Sequence, residues 1–223
     1  MTGLAGFFPF ILSGAWITIQ VAVCSLLFGL IIGLLGAGGE VSKIWWLRCL
    51  TISIISIIRG LPELLVIFFV YFGGTLLLTV VMGHYVNVSA FMSGVTALGL
   101  LFGAYASQVF RGAFMVIPKG QIESGRALGL STWQIFQHIQ LPQAWRYALP
   151  GLGNLWLILL KDTSLVSLIG LTELMNKSQI AASTTHQPFT FYLTAALLYL
   201  VMTSCSQIIL KKLSVNASKH LKP

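Results

Sequence analysis

The sequence predicts an all-α membrane protein with five transmembrane helices. Of its 223 residues, 57% are hydrophobic and only 8% are charged, and the mean hydropathy is +0.90. A soluble domain carries about a quarter charged residues, so this chain could not cover a globular surface with the polar groups it has. Apolar runs of about 20 residues, the length that crosses a bilayer as a helix, recur along the chain. We therefore expect the exterior to contact lipid.

The net charge of +8 would also suit a nucleic-acid-binding protein, but the basic residues form no single patch interleaved with aromatic residues. They lie mostly between and after the apolar runs, as the positive-inside rule predicts for membrane proteins. No nucleic-acid partner is therefore expected. The three cysteines have no CxxC spacing and the four histidines are scattered, so neither a disulfide nor a metal site is expected.

The first two predicted spans differ in how they are interrupted. The first covers about residues 8–35, and the glycine-rich residues 36–39 are expected to end it. Because no positively charged region precedes this span, we expect it to be retained and not cleaved as a signal peptide. The second covers about residues 50–81, and Pro62, which lacks a backbone N–H, is expected to kink or restart it.

The other three spans are separated by a longer polar segment, 111–146, and by a shorter one, 172–188. The third span is expected at 90–110, the fourth from Ala148 to Leu160 with a second apolar stretch at 163–171, and the fifth at 189–210. No internal repeat or low-complexity linker is evident. One domain, 1–223 with a core at about 8–210, is the simplest interpretation.

Basic residues predict how the five spans are oriented. An odd number of spans puts the two ends of the chain on opposite sides of the membrane. One side collects the basic residues of the first loop, the long polar segment and the tail 211–223, which are Lys43, Arg48, Arg111, Lys119, Arg126, Arg146, Lys211, Lys212, Lys219 and Lys222. The opposite side has only Lys177. The N-terminus is therefore expected outside, and the long segment and the tail in the cytoplasm.

The long polar segment is predicted to form a helix–turn–helix. Residues 122–128 suit a short helix that Gly129 would end in the left-handed conformation. Ser131 and Gln134 fit a capping box that opens a second helix, and Pro142 is expected to limit its length. Its apolar side chains are Trp133, Ile135, Phe136 and Ile139. Either this unit packs against the chain's own spans or it docks a cytoplasmic partner, and the pattern alone leaves both open.

The order of residues in this segment resembles the EAA loop of ABC-transporter permeases. That loop reads EAA, three residues, Gly, nine residues, then Ile-x-Leu-Pro, and every spacing is matched here. Ser124 and Gly125 stand where the family usually has two alanines, and Gly125 weakens the helix by up to about 1 kcal/mol. The resemblance implies a coupling helix that docks on an ATPase subunit, with the segment 111–147 as the coupling loop. The coupling residues it implies are Glu123, Arg126, Ala127, Gly129, Ile139, Leu141 and Pro142.

Further segments resemble the permeases of polar amino acid uptake systems, most closely those for histidine, lysine, arginine and ornithine or for arginine. These segments are 59–64, 110–114, 117–121, 146–151 and 160–167. The resemblance implies the type I importer (MetI-like) permease fold in a bacterial inner membrane. It also implies ABC ATPase subunits that bind ATP-Mg, a second permease that is a paralogue, and an extracytoplasmic amino-acid-binding protein. The chain has no G-x-x-x-x-G-K-[ST] motif, so we expect no cofactor and no catalytic residue of its own.

Charged residues inside apolar spans are costly and are candidates for the substrate pathway. Arg59 and Glu63 are four residues apart, so they either form a structural ion pair beside Pro62 or leave Glu63 facing the pathway. Lys161 and Asp162 are adjacent and point to different faces of their helix. They have either a structural or gating role or contact the substrate. Our hypothesis is that Glu63 and Asp162 favour cationic amino acids.

Two other functional classes are weaker. An intramembrane enzyme would need catalytic groups at matched depth, but HExxH and G-x-S-x-G motifs are missing and Asp162 is the only aspartate. A channel or carrier that works without an ATPase is the alternative function. The lack of an obvious inverted repeat argues against the usual carrier designs, whereas transport that survives without an ATPase would favour them.

Overall fold

The computed structural model describes residues 3–218, and the secondary structure in that range is helical. The helices are α1 (Leu4–Glu40), α2 (Trp45–Gly60), α3 (Glu63–Met82), α4 (Ala90–Met115), α5 (Lys119–Ala127), α6 (Thr132–Ile169), α7 (Leu174–Thr185) and α8 (Pro188–Ser218). Five of them, α1, α3, α4, α6 and α8, are long and apolar enough to cross a membrane. The predicted number of spans is therefore confirmed.

Helix α1 runs through the glycines that were expected to end it, so that prediction is wrong. The reason is close packing. A Cβ at Gly36 would lie 3.0 Å from Ser107 Cβ of α4, and a Cβ at Gly39 would lie 2.5 Å from Thr51 Oγ1 of α2. The glycines therefore let neighbouring helices approach, and the contacts made there stabilise the helical backbone despite its low propensity.

The predicted second span is two helices. Leu61 and Pro62 are extended and separate α2 from α3, so the predicted restart at Pro62 is confirmed. Only α3 is long and apolar enough to span a membrane, and α2 is a separate helix of 16 residues. Within α3, residues Phe69–Gly73 form a π-helical turn.

Helix α6 begins at Thr132 and continues past Pro142, so the prediction that Pro142 limits the second coupling-segment helix is wrong. The predicted fourth span, from Ala148 to Leu160, lies within this helix. A π-helical turn, Phe136–Gln140, lies just before Pro142. Pro142 then occupies the first turn of the following α-helical part, where a backbone N–H is not needed. The helix therefore continues to a closing 3-10 turn, Thr163–Ile169.

The core is built around α4, the spanning helix with the largest buried share. Val21 of α1, Phe102 of α4 and Leu159 of α6 belong to one buried apolar cluster. A second cluster joins α1, α7 and α8 through Ile11, Leu174 and Phe191, so the segment 172–188, expected to be a polar connection, holds a packed helix. The basic tail is helical to Ser218, and Lys219 and Lys222 lie outside the described residues.

Candidate functional site

Two acidic side chains from different spans line one cavity. Glu63 lies in the first turn of α3 because the helix restarts there after Pro62, and Asp162 lies near the end of α6. The cavity has a volume of about 210 Å³. Its other lining residues are Leu98, Leu101, Phe102, Tyr105, Leu155, Ile158 and Leu159. Among the described residues no basic side chain lines it, so the cavity is an apolar chamber with two carboxyl groups.

The two basic candidates lie elsewhere. The Arg59 guanidinium carbon lies 5.3 Å from the centroid of the Tyr105 ring, so that ring contacts both Arg59 and the cavity. Lys161 lines a separate groove with Tyr192 and Tyr199 of α8. This agrees with the expectation that the adjacent residues Lys161 and Asp162 point to different faces of their helix. Of the two alternatives for Arg59 and Glu63, the ion pair is not formed, because the one pair within 4.0 Å in residues 3–218 joins Arg111 to Glu40. The extended residues between α2 and α3 break the helical spacing that would have brought Arg59 and Glu63 together.

The turn after α5 has the geometry predicted for Gly129. Its φ is +77°, in the left-handed region. The Gly129 N–H donates to the Arg126 carbonyl at 2.9 Å, and the Leu130 N–H donates to the Gly125 carbonyl at 3.1 Å. These two bonds form a Schellman motif, which satisfies carbonyls that the helix end would leave unpaired. The helix itself covers Lys119–Ala127 and not 122–128.

The predicted capping box opens α6. The Gln134 N–H donates to Ser131 Oγ at 3.3 Å, and the Ser131 N–H donates to Gln134 Oε1 at 2.8 Å. Both bonds satisfy donors at the helix start, so the turn between α5 and α6 is fixed on each side by local hydrogen bonds. The helix–turn–helix prediction is therefore confirmed for this part of the segment.

The small residue at position 125 is required by packing. A Cβ on Gly125 would lie 2.9 Å from Ile139 Cδ1 and 3.1 Å from Ile135 Cγ1. Ile135 is buried and Ile139 is half-buried. Part of the predicted apolar face thus packs within the chain, and the spacing between Gly125 and Ile139 sets how α5 lies on α6.

Another part of the segment points outward. Leu128 is 81% exposed and Trp133 is 67% exposed, although both are large and apolar. Apart from Ile139, the predicted coupling residues are exposed as well. They are Glu123, Arg126, Ala127, Gly129, Leu141 and Pro142. The Trp133 ring stacks on Phe136, which stacks on Phe114 of α4 at a centroid distance of 6.0 Å. The segment thus packs against the chain on one face and leaves an exposed apolar surface on another, and docking of a cytoplasmic partner there stays a prediction.

Sequence reasoning missed two buried acidic residues, which it placed in polar connections. Glu40 is 4% exposed at the end of α1 and accepts hydrogen bonds from Ser107 and Gln108 of α4. Glu173 is fully buried at the start of α7. The spacing of Gly29, Gly33, Gly36 and Glu40 on one helix face could have marked Glu40, whereas no comparable sequence signal marks Glu173.

Glu173 is surrounded by hydrogen-bond donors from three helices. Its carboxylate accepts from the backbone N–H groups of Met175 and Asn176 at 2.9 Å each, which caps α7. It also accepts from Thr18 of α1 at 3.2 Å and from the Tyr199 hydroxyl of α8 at 3.1 Å. Burial raises the pKa of the Glu173 carboxyl, and these hydrogen bonds oppose that rise.

Comparison with known proteins agrees with this architecture. Residues 5–216 match the family model described as binding-protein-dependent transport system inner membrane component. An arginine ABC transporter permease protein of Haemophilus influenzae is 48% identical over 213 residues, which cover 96% of each chain. A crystal structure of an amino acid ABC transporter with histidines is 29% identical, with a TM-score of 0.84 and 96% of each chain covered. A methionine ABC transporter structure, 20% identical with a TM-score of 0.74 over 94% of this chain and 96% of that chain, shares the fold.

Proposed function

The chain belongs to the family of binding-protein-dependent transport system inner membrane components, and we propose that it imports basic amino acids as half of an ATP-driven pore. It is a multi-pass membrane protein and the permease subunit of an ABC transporter. The proposal concerns its substrate, its orientation and the residues that carry transport. The observation that carries it is the position of Glu63 and Asp162 in one cavity.

A cavity with two carboxyl groups and otherwise apolar or aromatic walls favours a cationic occupant. Charges at membrane depth are stabilised only by partners, and a guanidinium or ammonium group supplies both opposite charge and charge-assisted hydrogen bonds. The volume of about 210 Å³ is below that of typical drug-sized pockets, which suits one amino acid. The names of the arginine permease and of the transporter with histidines support the same substrate class.

The proposed ATPase contact is the coupling segment 111–147. Leu128 and Trp133 project from the turn that Gly129 and the capping box fix, and they give this surface an apolar tip. An apolar tip with exposed charges beside it, at Glu123 and Arg126, suits a groove on a partner protein. ATP-Mg would be bound by that partner ATPase and not by this chain.

The proposed assembly contains ATPase subunits, a second permease that is a paralogue, and an extracytoplasmic amino-acid-binding protein. Basic residues are concentrated in the first loop, the coupling segment and the tail 211–223. This distribution supports an orientation in which these three segments of the chain lie in the cytoplasm and the N-terminus lies outside. The whole chain, 1–223, would then act as one transmembrane domain in a bacterial inner membrane.

Uptake by the reconstituted complex tests the substrate proposal. Glu63→Gln and Asp162→Asn should each raise the KM for arginine or lysine by roughly 10–100-fold, because a hydrogen bond to a charged group contributes about 1.5–3 kcal/mol. Uptake of a neutral amino acid in the same vesicles should change far less. Glu63→Asp and Asp162→Glu retain the charge and serve as controls. An equal loss for all substrates would contradict the proposed role of the two carboxyl groups.

A further inference from the structure

Helix α1 is joined to α4 at one end by a buried carboxylate. Glu40 Oε1 accepts hydrogen bonds from Gln108 Nε2 at 2.6 Å and from Ser107 Oγ at 3.2 Å, and Glu40 Oε2 lies 3.4 Å from Arg111 Nη1. All three partners belong to α4. A buried carboxylate with its donors on a neighbouring helix holds that helix in one register, because sliding would leave the charge unpaired.

On the N-terminal side of Glu40, glycines of α1 allow close contact between the same two helices. A Cβ on Gly29 would lie 2.7 Å from the Gly99 carbonyl oxygen, and a Cβ on Gly33 would lie 2.8 Å from Ala106 Cβ. Gly29, Gly33, Gly36 and Glu40 are separated by four, three and four residues, so they share one face of α1. These contacts are too close for one helix to slide past the other, so α1 and α4 form one closely packed pair.

The end of α4 leads directly into the coupling segment. Arg111 lies four residues before Met115, where α4 ends, and α5 begins at Lys119. Ile117 between them is buried, and the Phe114 ring of α4 stacks on Phe136 of α6. A displacement of the coupling segment would therefore move Arg111 at the end of α4. Because Arg111 pairs with Glu40, α1 would be displaced as well.

The opposite half of α1 is joined to α7 by the second buried carboxylate. The Thr18 hydroxyl donates to Glu173 at 3.2 Å and accepts from the Leu174 backbone N–H at 3.2 Å. A Cβ on Gly14 would lie 3.0 Å from Leu174 Cα. Thr18 and Glu40 are 22 residues apart, which is about 33 Å along a helix and close to the thickness of the bilayer hydrocarbon core.

We propose that α1 is a rigid link between α7 and the coupling segment, with Glu40 and Glu173 as the positioning residues at its two ends. The inference rests on the proposed function, in which α7 lies on the side where the amino-acid-binding protein docks. Docking would displace α7, and the link would pass that displacement to the ATPase contact. Neither carboxylate lines the cavity of Glu63 and Asp162, so both act through helix position and not through the substrate.

The test is stimulation of ATP hydrolysis by the binding protein loaded with arginine, measured for the complete complex in proteoliposomes. Glu40→Gln and Glu173→Gln should each reduce this stimulation by roughly tenfold, within the range of typical coupling between sites, and leave the basal rate of ATP hydrolysis nearly unchanged. The double variant should be no worse than either single variant, because both residues belong to one link. Ser178→Ala is the control, since Ser178 is buried in α7 but bonds only within its own helix.

A reversible cross-link separates positioning from general packing damage. Gly36→Cys with Ser107→Cys places two Cβ atoms about 3.0 Å apart, so a small opening of the helices gives disulfide geometry. In the Glu40→Gln chain with Cys24, Cys49 and Cys205 replaced by serine, oxidation should restore stimulation and a reductant should abolish it. The inference would be overturned if ATP hydrolysis by both single variants were stimulated as fully as that of the wild type. It would also be overturned if the cross-link failed to restore the stimulation that Glu40→Gln had lost. Failure of the wild-type complex to transport at all would instead overturn the proposed function.

Discussion

Replacing Gly129 by valine perturbs one backbone angle in the coupling segment and no packing contact. Gly129 has a φ of +77°, and its N–H and that of Leu130 close the Schellman motif at the end of α5. A Cβ built on Gly129 meets no atom within 4 Å. The cost of a side chain there is therefore conformational, because residues other than glycine, and to a lesser extent asparagine and aspartate, avoid the left-handed region.

The size of the effect follows from this geometry. An L-residue in the left-handed conformation costs roughly 1–2 kcal/mol, and a β-branched side chain lies at the upper end of that range. A difference of that size changes an equilibrium by a factor of about 5–30. If the ATPase binds only the closed turn, its retention should decrease by up to the same factor, in the order Gly, Asn, Ala, Val for residue 129.

The assay is co-purification of the ATPase with the tagged chain from detergent, titrated with increasing ATPase. Gly120→Ala is the matched control, because Gly120 lies in α5, also has open space around it and has an ordinary helical conformation. That change should leave retention unchanged. Equal retention of the ATPase by the wild type and by Gly129→Val, with Gly129→Asn also unchanged, would contradict the predicted need for a left-handed residue 129.

Two further predictions concern the same segment. Replacing Leu128 and Trp133 together by serine should weaken ATPase retention at least as much as Gly129→Val does. Thermal stability should change little, because both side chains are largely exposed. Unchanged retention would show that this outward surface is not the ATPase contact. Gly125→Val should instead lower the thermal midpoint, since its side chain would overlap Ile139 and Ile135, and overpacking costs typically about 1–3 kcal/mol. Circular dichroism in detergent measures this loss, and a midpoint equal to that of the wild type would contradict it.

Local chemistry accounts for the parts of the molecule that the sequence predicted. The turn at residue 129 requires a left-handed backbone conformation that glycine adopts at low cost, and the capping box of Ser131 and Gln134 involves only these two residues and their own backbone. Both features could therefore be identified from residue type and spacing. The five spans follow from length and hydropathy in the same way. The break at Pro62 follows from a missing N–H, and it places Glu63 at a helix start.

Most of the predictions that were wrong depend on neighbours distant in sequence. Residues 36–39 read as a helix end because glycine has low helix propensity, but α4 packs against Gly36 and α2 against Gly39. Pro142 reads as a stop, yet the preceding π-helical turn places it where no N–H is needed. Glu40 and Glu173 fall in segments that the sequence pattern places in polar connections, because donors to both carboxylates come from helices distant in sequence. Glu173 also accepts from the backbone of its own helix. Tertiary contacts thus overrode the local pattern at residues 36–39, Glu40 and Glu173, whereas at Pro142 the cause is the adjacent π-helical turn.

We expect this permease to move its substrate only when it is coupled to an ATPase. The most direct test measures accumulation of labelled arginine in proteoliposomes that contain the complete complex, with ATP and with a partner ATPase variant that cannot hydrolyse it. Accumulation against a gradient only with ATP and the intact ATPase is the predicted result. Arginine uptake that persists with the inactive ATPase, or with this chain alone, would contradict the account and favour a carrier that works without an ATPase.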